Sequence, residues 1–379
     1  MVAPKPFTLH IADAEIADLK ARLARTRFPD EPPLEPWSTG TSLAYLKSLI
    51  DYWQNGFDWR AWEAKLNGFP QFTLPIRGID VHFIHAPSAK PNAMPLLLSH
   101  GWPGSVFEFH RLIPLLTEHF TVVAPSLPGY TLSFTPGQPR FGIVEVAEIF
   151  AELMSALGYT RFGAQGGDWG SFITSVLGHR FPERMTGIHL NLLPVRRDPA
   201  MLPDPNAEEK IYLDQLKNFL KEETGYQWIQ GTRPQTLAVG LIDSPAGLAA
   251  WIVEKFHAWT DNNGSPEDAV SRDEMLANIA LYWFTGAIGS SFWPYYVRMH
   301  GPWPIPDGEP ITVPMGYAEF PKEILSPPRS LAAKTYSDIR RWTAMPKGGH
   351  FAALEQPDAL AHEVIEFFRA VPWAHGGHA

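Results

Sequence analysis

The chain has 379 residues, 45% of them hydrophobic and 19% charged, an ordinary globular balance with enough apolar side chains for a sizeable core. Its 31 basic and 40 acidic side chains leave a formal net charge of −9, which argues against nucleic acid or an anionic membrane as the main partner. Cysteine is absent, so no disulfide, thiolate nucleophile or cysteine-ligated metal can form.

The first ten residues, MVAPKPFTLH, lack the apolar core of a secretory signal, and no run of about 18 apolar residues occurs. With the missing disulfides, this predicts a cytoplasmic protein without a membrane anchor. Residues 1–71 read as helical. Asp13 is placed to cap a helix carrying Ile16, Leu19 and Leu23 on one face. DEPPLEPW breaks the pattern. Leu43, Leu46, Ile50 and Trp53 then mark a second helix ending at Asn55-Gly56, and Trp59, Trp62 and Leu66 a third ending near Gly68. So short a region with such apolar faces is expected to wrap another domain.

From residue 72 the pattern changes. FTLPI and IDVHFIHA predict strands on either side of Arg77-Gly78. MPLLLSH, FTVVAPS, RFGAQGG and MTGIHLNLL follow as short apolar runs, and Val146, Ile149, Phe150, Leu153 and Leu157 form a helical stripe between them. Short buried strands alternating with helices imply an α/β fold with a mostly parallel sheet. Residues 195–300 are aromatic and strand-poor, bounded by proline-rich stretches, and read as a helical cap inserted over that sheet. Strand signals return at PITVPMGYA and RRWTAMP, and the amphipathic DALAHEVIEFFRAV closes the chain. The division expected is an extension (1–71), a first core part (72–194), a cap (195–300) and a second core part (301–379).

Three short motifs carry chemistry. Gly166-Gly167-Asp168-Trp169-Gly170 lies between a strand-like and a helix-like run, the context of a nucleophile elbow. The same pentapeptide would also serve as a glycine-rich turn in which Asp168 merely caps the next helix. Aspartate in place of the usual serine is informative. A carboxylate is ionised at neutral pH and needs no base to activate it. Attack on an acyl group would give a labile anhydride, whereas attack on an sp³ carbon gives an alkyl ester that water can cleave. The motif therefore points to alkyl electrophiles, epoxides or haloalkanes. His100-Gly101-Trp102-Pro103-Gly104-Ser105 follows a strand and can aim the Trp102 N–H inward; with the Trp169 N–H it would form an oxyanion hole. His350, in Lys347-Gly348-Gly349-His350-Phe351, comes after the elbow and suits a general base near neutral pH. MGYAEFPKEI offers Glu319 and Glu323 as the acid that orients it, and position alone does not separate them. Asp358, past the histidine, is better placed to cap the last helix.

HGWPGS, GGDWGS and GGHFAALEQP, together with FTLHI and the tryptophan-rich stretch before FPQF, resemble the microsomal-type epoxide hydrolases of the α/β-hydrolase superfamily along almost the whole chain. The resemblance implies an α/β-hydrolase fold with a mostly parallel central sheet, a helical cap and an N-terminal helical extension. It implies that two cap tyrosines hold and protonate the epoxide oxygen: Tyr226 in TGYQWIQGTRP and Tyr295 in SSFWPYY, with Tyr296 adjacent. It favours Glu323 over Glu319, although some relatives use an aspartate there. The implied reaction turns an epoxide and water into a vicinal diol through an ester on Asp168, with no metal or organic cofactor. A homodimer is implied as well. Mammalian members carry an N-terminal membrane anchor, whereas this chain starts almost at the extension. The aromatic cap suggests a small apolar or aryl epoxide. Two rivals remain open. A haloalkane dehalogenase would also use Asp168, with Trp169 on the halide, but Trp102 stands where those enzymes place an asparagine. A non-catalytic ligand-binding protein on the same fold is the other.

Overall fold

A computed structural model describes residues 3–373; residues 1–2 and 374–379 lie outside it. Nine strands form one sheet: β1 (Lys5–Pro6), β2 (Gln71–Ile76), β3 (Ile79–Ala86), β4 (Met94–Ser99), β5 (Phe120–Pro125), β6 (Phe162–Gly166), β7 (Met185–Leu190), β8 (Met315–Glu319) and β9 (Ile339–Ala344). Their order is β1-β2-β3-β5-β4-β6-β7-β8-β9. The first three pairings are antiparallel and the six strands from β5 to β9 run parallel. Every residue of β4 and β5 is buried, as strands covered on both faces require.

The sheet sets the place of the site. β4 has β5 on one side and β6 on the other, so the strand order reverses there. Such a switch point opens a crevice beyond the carboxyl ends of the strands. Ser99 pairs with Gly166 at those ends, which brings the HGWPGS turn and the elbow side by side.

Helices α1 (Asp13–Leu23), α2 (Leu43–Asn55) and α3 (Trp59–Asn67) precede the sheet. Core helices α4 (Leu112–Thr117), α5 (Ile143–Ala156) and α6 (Asp168–Arg180) alternate with its strands. Between β7 and β8 run α7 (Ala207–Glu222), α8 (Gly225–Thr232), α9 (Pro234–Asp243), α10 (Pro245–Trp259), α11 (Arg272–Thr285), α12 (Ile288–Ser291) and α13 (Trp293–His300). Helices α14 (Arg329–Ala332), α15 (Ala352–Glu355) and α16 (Pro357–Ala370) follow in the last part. The N-terminal helices pack onto the inserted ones: Thr41 Oγ1 donates to the Ala250 carbonyl (2.7 Å) and Tyr52 Oη to Asp273 (2.8 Å). No single described helix is long and apolar enough to cross a membrane. Helices α9 and α10 pass that test only together, bent by 117°, and α10 buries Leu248, Ala249, Ile252 and Val253 within the protein.

Four local expectations are corrected. Asp13 is the first helical residue of α1, not its cap; Ala12 holds that position, and Glu15 receives its N–H at 3.2 Å. Asp358 likewise lies inside α16, behind Gln356 and Pro357. PITV is not a strand. Pro310 and Pro314 have no N–H to offer a ladder, so only an isolated bridge joins Ile311 to Tyr336 and β8 begins at Met315. The stretch before α1, expected to be helical, contributes the edge strand β1 instead.

Candidate active site

β6 ends at Gly166, and Asp168 starts α6 with φ +46°, a left-handed conformation costly for a residue with a Cβ. The glycines around it make the turn possible. A Cβ on Gly166 would lie 2.2 Å from the Gly170 carbonyl oxygen, and one on Gly170 1.9 Å from that of Ser99. α6 can therefore cross β4 and β6 this closely only without side chains at those points. Asp168 heads the helix without capping it, since Gly167 occupies that position.

The Asp168 carboxylate is held at both oxygens. The Trp102 N–H donates to Oδ1 at 2.7 Å, and Gly101 makes room, because a Cβ there would come within 2.1 Å of that oxygen. Oδ2 lies 3.4 Å from His350 Nε2. No hydrogen bond joins the Trp169 N–H to this carboxylate among the described residues; it belongs to the first turn of α6, where amides lack helical partners. Of the two expected donors, the structure brings only Trp102 into contact.

His350 Nδ1 is 2.6 Å from Glu323 Oε1, which also accepts the Ile324 N–H at 2.7 Å. Glu323 follows β8 and His350 follows β9, so neighbouring strands deliver both. Glu319 is engaged elsewhere, accepting the Trp342 indole N–H at 3.1 Å. α10 fixes the histidine loop: the His350 N–H donates to the Trp259 carbonyl at 2.9 Å, and the Trp259 ring meets the imidazole edge-on at 5.0 Å. Burial alone would lower the pKa of His350. The Glu323 and Asp168 carboxylates outweigh it and raise the imidazole to about 10.

Tyr226 on α8 and Tyr295 on α13 face the same cavity as Asp168, with a volume of about 600 Å³. The Tyr226 ring stacks on Trp102 (5.4 Å) and Tyr295 meets Trp169 edge-on (4.8 Å); the two phenol rings lie 5.8 Å apart. Burial pushes both phenols up, so they stay protonated and can donate. Tyr296 points elsewhere, stacked on Trp293 and His300.

Glu108 escaped the sequence reading. With Asp168 and His350 it lines a second cavity of about 20 Å³, enough for one water. Burial lifts its carboxyl to about 8, and nearby His350 partly opposes the shift. Gly104 leaves space for it, since a Cβ there would fall 2.1 Å from Oε2. The signal available was an acid in HGWPGSVFEF, five residues after Pro103, but its apolar neighbours read as core. α11 braces this loop: Asn278 Nδ2 donates to the Pro103 carbonyl (2.7 Å) and Tyr282 Oη to that of Gly104 (2.6 Å).

Comparison with known proteins points to one family. Residues 4–109 match the family model described as the epoxide hydrolase N terminus, and residues 94–226 that of the α/β hydrolase fold. Epoxide hydrolase 1 of Oryctolagus cuniculus is 38% identical over 402 residues, covering 96% of this chain and 88% of that protein. The structure of Aspergillus niger epoxide hydrolase matches with a TM-score of 0.87 at 34% identity, over 98% of this chain and 97% of that one. Juvenile hormone epoxide hydrolase from Bombyx mori matches with a TM-score of 0.88 at 32% identity, over 97% and 95%. Likeness of this depth extends through extension, sheet and inserted helices alike, and the chain belongs to the epoxide hydrolase family of the α/β-hydrolase fold.

Proposed function

We propose that this epoxide hydrolase adds water to an epoxide through an ester on Asp168. The observation that carries the reading is the Asp168 carboxylate, held by the Trp102 N–H and His350 and facing one cavity with two buried phenols. An Asp168 oxygen attacks an oxirane carbon, and the ring C–O bond breaks. The electron pair left on oxygen takes a proton from Tyr226 or Tyr295. Esterification removes one of the two carboxylates that keep His350 protonated, so its proton passes to the tyrosinate and the imidazole becomes a base when one is needed. Neutral His350, oriented by Glu323, then takes a proton from water attacking the ester carbonyl. The Trp102 N–H steadies the oxyanion; Trp169, whose amide opens the same helix turn, is the second donor of this proposal. Collapse breaks the ester C–O bond, and the departing alkoxide takes the proton held by His350. The proton left on the former water oxygen passes to His350, so the diol leaves with the Asp168 carboxylate and the His350 imidazolium restored. The roomy 20 Å³ cavity beside Glu108 suits the attacking water.

His350→Gln tests this directly. It should accumulate an ester whose mass adduct maps to the Asp168 peptide, whereas Asp168→Ala should form neither adduct nor diol. Normal diol formation by Asp168→Ala would refute the mechanism.

We read residues 1–71 as the extension, 72–194 and 301–379 as the core and 195–300 as the cap, a division supported by seven consecutive helices between β7 and β8. A cytoplasmic location is part of the proposal: cysteine is absent from the sequence, and no single described helix is long and apolar enough to cross a membrane. For the homodimer, the supporting feature is the exposed set Trp228, Ile229, Val239 and Ile242 on α8 and α9; a lone monomer in sedimentation velocity would refute it.

A further inference from the structure

The 600 Å³ cavity above Asp168 has a charge that a neutral substrate does not require. Three guanidinium groups line it: Arg196 and Arg197, from the segment after β7, and Arg298, in the last turn of α13. A helix dipole would account for a cation at the end of α13 but not for two more in a loop. Their partners are uneven. Arg196 lies 3.1 Å from Asp307. Arg298 sits over the Trp303 ring at 4.4 Å and Arg197 over Phe219 at 4.8 Å, and neither has a carboxylate within 4 Å among the described residues. Asp198, the remaining acid on the cavity wall, is exposed and accepts the Ala200 N–H at 2.9 Å.

These charges are close enough to act on one another and on the site. Burial, then Arg196 and Arg197, lower the pKa of Arg298, and Arg197 tends to lower that of Tyr226. Stacking a guanidinium on an aromatic ring fixes its plane and leaves its N–H edge free for a forked contact with an anion. Phe172, Leu192 and Ile324 give the same cavity an apolar wall. In a chain of net charge −9, a local triad of arginines is a specific feature rather than a reflection of composition.

We infer that the enzyme acts on amphipathic epoxides bearing a carboxylate or similar anion, with the oxirane at Asp168, an apolar stretch along Phe172 and Leu192, and the anion at Arg197 and Arg298. The inference rests on the epoxide hydrolase reading and narrows its substrate class from neutral aryl or alkyl epoxides to anionic ones.

The test compares the terminal epoxide of undecanoic acid with its primary amide, using styrene oxide as a neutral reference. The acid should exceed the amide in kcat/KM by about tenfold to a hundredfold at low salt, the scale of one or two charge-assisted hydrogen bonds. The ratio should shrink between about 0.01 M and about 1 M salt. It should fall toward one in Arg298→Met, fall further in the Arg197→Met/Arg298→Met double variant, and be partly retained in Arg298→Lys, with thermal melts confirming that each is folded. Equal kcat/KM for acid and amide in the wild type, or a ratio that the double variant leaves intact, would overturn the inference. Absence of diol from all three epoxides would instead overturn the epoxide hydrolase reading beneath it.

Discussion

His350 lies between the carboxylates of Glu323 and Asp168, and that pair ties its proton to folding as well as to the proposed catalysis. Its pKa rises from 6.5 to about 10 in the folded protein. A group raised on folding contributes stability that is complete below its unfolded pKa and lost as pH climbs through the folded one. Unfolding free energy should therefore fall between pH 6.5 and about 10, less steeply in His350→Gln. Urea midpoints across that range test it; an equally steep decline in His350→Gln would assign the effect to other groups. Glu108, raised from 4.5 to about 8, adds a component of the same sign at lower pH. Its proposed role beside the water gives a second prediction. Glu108→Gln should slow ester decay by about tenfold or more, and decay more than ester formation, in single-turnover mass spectrometry. Unaltered decay would leave Glu108 no part in hydrolysis. Asp168 and His350 could be singled out from the sequence because chemistry and chain order constrain them together, and the structure brings them within 3.4 Å. Glu108 could not: its position depends on Gly104 lacking a side chain and on the fold bringing Asp168 and His350 to the same small cavity.

Helix α11 shows how an element outside the sheet can govern the site. Asn278 and Tyr282 stand one helical turn apart and hold two successive carbonyls of the loop that carries Trp102. Tyr282→Phe leaves the Gly104 carbonyl without its buried partner, which costs about 1–3 kcal/mol. The expected outcome is a lower melting temperature together with a reduced kcat, because the Trp102 N–H loses its fixed aim. A variant that melts lower yet keeps full kcat would mean that the loop holds its shape unaided. Elements were readable where periodicity was strong: α2, α3, α5 and the central strands all lie where their apolar patterns put them. The misses share a cause, which is that the deciding partner is distant or the pattern too short. β1 is two exposed residues with meaning only against β2. Asp13 fits a cap by type, but Ala12 takes that position and Asp13, the first helical residue, pairs with Arg60 of α3 instead.

At the scale of the whole molecule, the question is whether extension, core and cap unfold separately. A chain of 379 residues with inserted helices would ordinarily be expected to lose structure in steps. Here the buried apolar side chains form one cluster from Leu9 to Val371, taking in Leu49 and Trp53 of the extension, Ile252 of α10 and the central strands. The ion pair between Arg22 and Asp243, also linking extension and insert, is exposed and contributes little. Apolar continuity, not surface charge, is then what couples the parts. Leu49 is wholly buried on α2. Leu49→Ala should cost about 2–5 kcal/mol, as large-to-small core substitutions do. If the cluster acts as one body, that loss lowers a single transition, and tryptophan fluorescence, far-ultraviolet circular dichroism and diol formation fall together along the urea axis. If activity survives an early fluorescence change, the extension is a separate unit and the continuity of the core does not couple it to the site. The first outcome also explains why a region so far from the chemistry would be kept, since α2 packs on α10 and α10 holds the backbone of His350 through the Trp259 carbonyl.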